Sequence, residues 1–212
     1  MIAVLSVRNP AAAKDQLIRE MAFVDLGLWR ELPLLGFGEQ KILVVARGIV
    51  PDGMIEVPLD HLALRVPDVT AFFGSAMSKG ARLDPAFTPD GPRVIPEFWD
   101  QGLCCVFFQG PDGAPLEFCQ RIGSANSGIG HDHFGVRCES IQSDIERLVE
   151  LGGEEVASHN LESGSGRVRV FFMHYGNRMF ELFDEEHGVG AEAFHPWIGL
   201  VPDGSATAGS RR

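Results

Sequence analysis

At 212 residues, with 45% apolar and 22% charged side chains, the chain is long enough to bury a substantial core and has an ordinary globular balance. A net charge of −11 argues against a broad electrostatic grip on nucleic acid or an anionic membrane, and no apolar run approaches the roughly 18 residues that a membrane span needs. The opening MIAVLSVRNP has no charged n-region, long h-region or small-residue cleavage site, so no secretory signal is expected and a cytoplasmic location is predicted.

In chain order, Ile2 to Val7 reads as a strand, Asn9-Pro10 as a helix start, and Leu17 and Met21 continue an apolar helical face. Ile42 to Ala46, the turn Pro51-Asp52-Gly53 and Met54-Ile55-Glu56 follow. A second strand is predicted at Asp60-His61-Leu62-Ala63-Leu64-Arg65-Val66. Asp68 then caps a helix whose apolar stripe is Val69, Phe72, Phe73, Ala76 and Met77, and Gly80 stops it. The connection from Thr88 to Gly102 carries Pro89, Pro92, Pro96, Phe98 and Trp99 and has the length of a lid or specificity loop. In it, Trp99 either stacks on a substrate or anchors the loop to the core. Val106-Phe107-Phe108 leads through Gly110-Pro111-Asp112-Gly113 to Leu116-Glu117-Phe118, a hairpin pattern.

The same order then returns. Asp132-His133-Phe134-Gly135-Val136-Arg137-Cys138 repeats the Asp-His opening and the Arg four residues after the His. Ser140 caps a helix striped by Ile141, Ile145, Leu148 and Val149, and Gly152-Gly153 ends it. Val170-Phe171-Phe172 leads through Tyr175-Gly176-Asn177 to Phe180-Glu181-Leu182, with the same Val-to-Glu separation as before. The repeating unit is therefore β-α-β-β-β, with a first module over residues 58–122 and a second over 129–185. Two readings of residues 1–57 stand side by side. In one they are a degenerate third module, with Ile2 at the position of His61 and Met54-Ile55-Glu56 echoing the last strand. In the other they are an unrelated N-terminal extension. Residues 186–212 belong to no repeat; His195-Pro196-Trp197 is expected to dock on the body, and Ser205 to Arg212 reads as a loose tail. Cys104, Cys105, Cys119 and Cys138 form no C-x-x-C pair and lie in strand-like stretches, which predicts buried free thiols.

Alternation along a strand puts His61, Ala63 and Arg65 on one face, and His133, Gly135 and Arg137 on the corresponding face of the second copy. Glu117 lies between core-facing Leu116 and Phe118, and Glu181 between Phe180 and Leu182. One His and one Glu from each copy thus point to the open face of a sheet. Four ligand-type residues at matched repeat positions predict a site for one divalent ion: Ni, Co, Zn, Mn or Fe. Without metal the same residues would be polar groups kept in a binding cup. Arg65 and Arg137 are expected on the histidine face, where they either favour an anionic group on a substrate or pair with acids at the rim. His131, two residues before His133, would share its face and is a reserve ligand or acid–base group; His174 and Tyr175 would reach the cup mouth.

These residues give the chain a resemblance. Residues 58–185, roughly 60% of the chain, resemble a paired-module member of the vicinal oxygen chelate superfamily, which includes glyoxalase I, methylmalonyl-CoA epimerase, bleomycin- and fosfomycin-resistance proteins and extradiol dioxygenases. The resemblance implies an α+β fold in which paired βαβββ modules form a curved mixed sheet around a cup, with helices outside. In the glyoxalase and epimerase branches it places metal ligands at His61, Glu117, His133 and Glu181. Glutamate chemistry beside the ion, by Glu117 or Glu181, would suit a lyase, isomerase or epimerase acting on a small oxygenated carbonyl substrate through a metal-bound enediolate. The extradiol branch would instead use His61, His133 and Glu181 for a non-haem Fe(II) dioxygenase, leaving Glu117 without a role. The resistance branch would make a metal-free small-molecule binder. Arg65, Arg137 and Trp99 are the candidate substrate contacts. The expected partners are a small, anionic or neutral substrate and, because an odd module leaves an unpaired sheet edge, a second copy in a homodimer.

Overall fold

The computed structural model describes residues 1–124, 128–163, 166–184 and 195–203. Three helices and thirteen strands alternate in a repeating order among these residues. The first unit is β1 (Ile2–Val7), α1 (Pro10–Met21), β2 (Val24–Trp29), β3 (Leu32–Phe37) and β4 (Gln40–Ala46). The second is β5 (Leu59–Arg65), α2 (Val69–Ser78), β6 (Arg93–Ile95), β7 (Leu103–Gln109) and β8 (Pro115–Arg121). The third is β9 (Gly130–Arg137), α3 (Ile141–Glu150), β10 (Glu154–Ser163), β11 (Gly166–Tyr175) and β12 (Arg178–Asp184), followed by β13 (Trp197–Val201). Each unit pairs its first strand parallel to its last, β1 with β4, β5 with β8 and β9 with β12. The intervening strands are antiparallel hairpins.

Local chemistry accounts for two of the helix starts. The Ala12 N–H donates to the Asn9 side chain at 3.1 Å with Pro10 in the first turn, and the Ala71 N–H donates to Asp68 at 2.9 Å. Ser140 precedes α3 as expected but caps no backbone N–H; its hydroxyl bonds that of Ser143 instead.

The second and third units join through antiparallel pairing of β5 with β9, giving an eight-stranded sheet in the order β10-β11-β12-β9-β5-β8-β7-β6. This is the α+β arrangement of paired modules with the helices on its outer face. Leu62, Leu64, Leu116, Phe118, Phe134, Val136, Phe180 and Leu182 turn outward into one core cluster that also takes in Ala3, Leu17, Phe37 and Ile42 of the first unit. Phe37 meets Phe118 with ring centroids 5.6 Å apart, so the two sheets share this core. No helix among the described residues is long and apolar enough to cross a membrane. All four cysteines are free thiols, and burial pushes that of Cys138 up to about 12.

The N-terminal residues depart from the sequence expectation in their register. Ile42 to Ala46 lies in the last strand of its unit, β4, rather than in the one before it, and Met54-Ile55-Glu56 makes only an isolated bridge, Ile55 to Leu200. The strands β2 and β3 supply the hairpin that the sequence did not reveal. The C-terminal segment docks on the body as expected, and it does so as a strand: Trp197 to Val201 pairs antiparallel to β1, as β9 does to β5. The result is a five-stranded sheet in the order β13-β1-β4-β3-β2. Trp197 is buried and its Nε1 donates to the Pro115 carbonyl at 3.0 Å, which fastens this sheet to the larger one. The tail expected from Ser205 lies outside the described residues.

Candidate metal centre

The central β5–β9 ladder holds the site. His61 pairs with Gly135 and Ala63 with His133, but the register shifts on either side of them, because Asp60 and Asp132 are each an extra residue in an otherwise paired strand. Each bulged aspartate accepts a hydrogen bond from the histidine that follows it, Asp60 Oδ1 from His61 Nδ1 at 3.1 Å and Asp132 Oδ1 from His133 Nδ1 at 3.0 Å. A proton held on Nδ1 by a carboxylate leaves Nε2 bare, which is the tautomer a metal ligand requires.

Both Nε2 atoms point to the same spot and are 3.3 Å apart. Glu117 from β8 and Glu181 from β12 arrive from opposite sides. Glu117 Oε2 lies 3.5 Å from His61 Nε2 and 3.2 Å from His133 Nε2; Glu181 Oε2 lies 3.2 Å and 3.0 Å from the same atoms. One ligand atom from each of the four residues falls within 4.8 Å of all the others, and all four residues are buried. Nitrogen and oxygen ligands at about 2.0–2.1 Å from one ion stand about 2.8–3.4 Å apart along the edges of an octahedron or tetrahedron. Four of the five separations fall in that range, and the fifth, Glu117 to His61 at 3.5 Å, lies just beyond it. The donor set, two imidazoles and two carboxylates, suits a divalent ion of borderline hardness.

Electrostatics agree with this placement. Burial works against an imidazolium at His61, yet Asp60 and the two glutamates overcome it and hold the group raised to about 9. His133 is raised well above its ordinary value against the same burial, by Glu181, Glu117 and Asp132. Burial opposes ionisation of Glu181 too, but the two histidines bring it down to about 2. Asp60 and Asp132 are likewise held below the usual carboxylate range despite burial. The cluster thus attracts positive charge strongly, whether carried by protons or by a metal ion.

Two arginines complete the support, and they cross between modules. Arg137 of β9 donates to Asp60 Oδ2 at 2.7 Å, and Arg121 of β8 donates to both oxygens of Asp132 at 3.3 and 3.0 Å. Gly135 matters for a steric reason. A Cβ at that position would lie 2.1 Å from His61 Cε1, so only glycine leaves room for the ring. Around the ligands the wall is aromatic: Phe107 and Phe183 stand 5.3 and 6.0 Å from His61, and Phe172 stands 5.6 Å from His133. The loop before β7 lies over this wall, with Phe98 and Trp99 on Phe172 and the Arg121 guanidinium 3.8 Å above the Trp99 ring.

The sequence-derived residues are therefore distributed unevenly. His61, Glu117, His133 and Glu181 meet. Arg137 faces the site but is bound to Asp60. Arg65 is engaged elsewhere, donating to the carbonyls of Gly128 and His131 and reaching Glu39. His131 does not share the face of His133, because the bulge at Asp132 interrupts the alternation; its ring instead packs on Phe134 of the outer core, at 4.5 Å. Tyr175 packs against that outer core rather than standing at the cup mouth, and the side chain of His174 is exposed. Asp60, Asp132, Arg121 and Gly135 were not singled out from sequence. The repeated Asp before each His was the available signal for the first two.

No protein family profile and no curated protein sequence matches this chain. Among solved structures it is similar to glyoxalase I from Zea mays, with a TM-score of 0.65 and 17% identity over 88% of this chain and 67% of that one. It is also similar to a mutant of 4-hydroxymandelate synthase from Streptomyces coelicolor, with a TM-score of 0.57 and 13% identity over 88% of this chain and 70% of that one. Identity at this level speaks for architecture and not for reaction. The chain has the fold of the vicinal oxygen chelate superfamily.

Proposed function

We propose that this protein is a divalent-metal-dependent enzyme of the glyoxalase type, a lyase, isomerase or epimerase that moves a proton next to the carbonyl of a small oxygenated substrate. The observation that carries the reading is the convergence of both glutamates, not one, on the paired histidines. His61, His133, Glu117 and Glu181 would hold the ion, which when bound would act as a Lewis acid toward the substrate's oxygens. The residues of the chain do the rest. Asp60 and Asp132 keep each imidazole in the ligating tautomer. A glutamate oxygen beside the substrate carbon takes up the proton and returns it, the task for which a carboxylate at the centre is suited. The phenylalanine wall excludes water and accepts an apolar substrate body. Trp99 has a buried Nε1–H without a hydrogen-bond partner and is proposed to contact the substrate from the covering loop. Ala3, Ile2 and Leu43 belong to an N-terminal unit that we read as a third module whose ligand positions are apolar: Ile2 stands for His61 and Leu43 for Glu117.

A dioxygenase with a two-histidine, one-carboxylate site would leave Glu117 idle, whereas Glu117 lies within 3.5 Å of both imidazole nitrogens. The test is metal analysis of the purified chain followed by Glu117→Gln and Glu181→Gln. Both variants are expected to bind the ion more weakly and to lose solvent-proton exchange at the α-carbon of a hydroxycarbonyl substrate. Full Fe(II) affinity and oxygen consumption in Glu117→Gln would overturn this reading in favour of the dioxygenase. Absence of any divalent ion, with no activity on adding one, would overturn both.

A further inference from the structure

A cavity of about 730 Å³ lies apart from the metal centre, where the turn of the β11–β12 hairpin and the starts of β4 and β9 come together. Its volume is that of a small-molecule site. Two of its wall residues are buried polar groups with unmet hydrogen-bonding capacity. His131 is 6% exposed, and its ring nitrogens have no side-chain hydrogen-bond partner. Arg178 is also 6% exposed, and its Nε has no partner. A buried donor left unmade costs free energy, and such groups are rare unless something satisfies them. Here two of them line one hollow.

Charge identifies what would fit. Lys41, Arg65, Arg121 and Arg178 face the space together with three carboxylates, Glu39, Asp132 and Asp203. Each carboxylate is already engaged: Asp203 by Lys41, Asp132 by Arg121 and His133, and Glu39 by Arg65 and the His131 N–H. Arg178 has no carboxylate partner among the described residues. In a chain of net charge −11, this leaves a locally cationic hollow with a buried guanidinium and a buried imidazole at its wall. We infer that the cavity binds a small molecule bearing an oxyanion, a carboxylate or a phosphate, whose oxygens accept from Arg178 Nε and from a ring N–H of His131. The site is distinct from the substrate cup: Arg178 and His131 make no hydrogen bond or ion pair with the four ligands' Nε2 or carboxylate oxygens, and the His131 ring packs on Phe134 of the outer core, which in turn meets Phe180. The two sites share Asp132, which lines the cavity and holds His133, and Arg121, which lines the cavity and holds Asp132.

The test is calorimetric titration of the metal-loaded chain with inorganic phosphate and, separately, with malonate, at ionic strength held constant with chloride. One saturable site is expected for at least one of the two probes, and the tighter one tells phosphate from carboxylate. Arg178→Gln, which removes no metal ligand, is expected to weaken binding at least tenfold, the loss of a charge-assisted hydrogen bond. If that variant fails to reach the wild-type metal content, the ¹⁵N signals of the His131 ring in the wild-type chain decide, and they are expected to shift along the titration. No saturable binding of either probe, equal affinity in a folded Arg178→Gln, or unmoved His131 signals would each overturn the inference.

Discussion

Replacing Gly135 with alanine is the sharpest test of how the centre is built, because it adds one methyl group and removes no ligand. That methyl would sit 2.1 Å from His61 Cε1 and 2.4 Å from both ring nitrogens. Carbon atoms in ordinary contact stand about 3.5 Å apart, so the ring must retreat by about 1.4 Å. A metal–nitrogen bond tolerates only about 0.2 Å. One of four ligands is therefore lost or badly placed, and metal affinity is expected to fall about a hundredfold. With metal in large excess over Kd, that removes about 2.7 kcal/mol of stabilisation. In a domain of this size the metal-induced rise in Tm should then shrink by roughly 5–11 °C. The metal-free variant should also be weaker than the metal-free parent, by about 1–3 kcal/mol of overpacking. Thermal unfolding with and without metal, together with chelator competition, measures both effects. Gly74→Ala in α2 is the control, since a Cβ there meets nothing within 4 Å and should leave metal binding unchanged. A Gly135→Ala protein that binds metal within twofold of the parent would mean that His61 does not depend on the gap above Gly135.

Two other outcomes are expected. Asp132→Asn removes the charge that fixes the His133 tautomer and leaves Arg121 without its carboxylate, and metal affinity in chelator competition should drop about 10–100-fold with the fold retained; unchanged affinity would reduce Asp132 to a packing role. The metal-free chain should lose stability with rising pH. His61, raised to about 9 from an ordinary 6.5, contributes stability that is complete below pH 6.5 and lost as pH climbs through about 9, and His133 acts in the same direction. Denaturant melts of the chelated protein across that window should show the decline, while metal affinity rises as the competing protons leave; a metal-free chain equally stable at pH 6 and pH 9.5 would count against it.

The four candidate ligands were legible because each sits at a repeated offset within a repeated unit, so that spacing alone brought them to one face. What lay beyond was hidden for identifiable reasons. The β2–β3 hairpin turns at Arg30 and Glu31, both with positive φ (46° and 72°), where a two-residue turn ordinarily advertises itself by Asn-Gly or Gly. With ordinary residues there, residues 24–37 carried no turn signal, and β4 was placed one strand too early. The bulges at Asp60 and Asp132 break the two-residue period, so alternation assigned His131 to the wrong face. Arginine roles failed differently. Which carboxylate a long side chain meets depends on cross-strand neighbours, and Arg121, four residues past Glu117, looked no more promising than Arg65.

The arginines of the centre each serve the other half of the molecule. Arg137, from the second module, steadies the aspartate behind the first module's histidine, and Arg121, from the first, steadies the one behind the second's. Each half thus sets the tautomer of its own ligand with an aspartate that the other half steadies. A partial separation along the β5–β9 seam would therefore withdraw the support behind both imidazoles together, so an ion held there would lose both histidines at once rather than one.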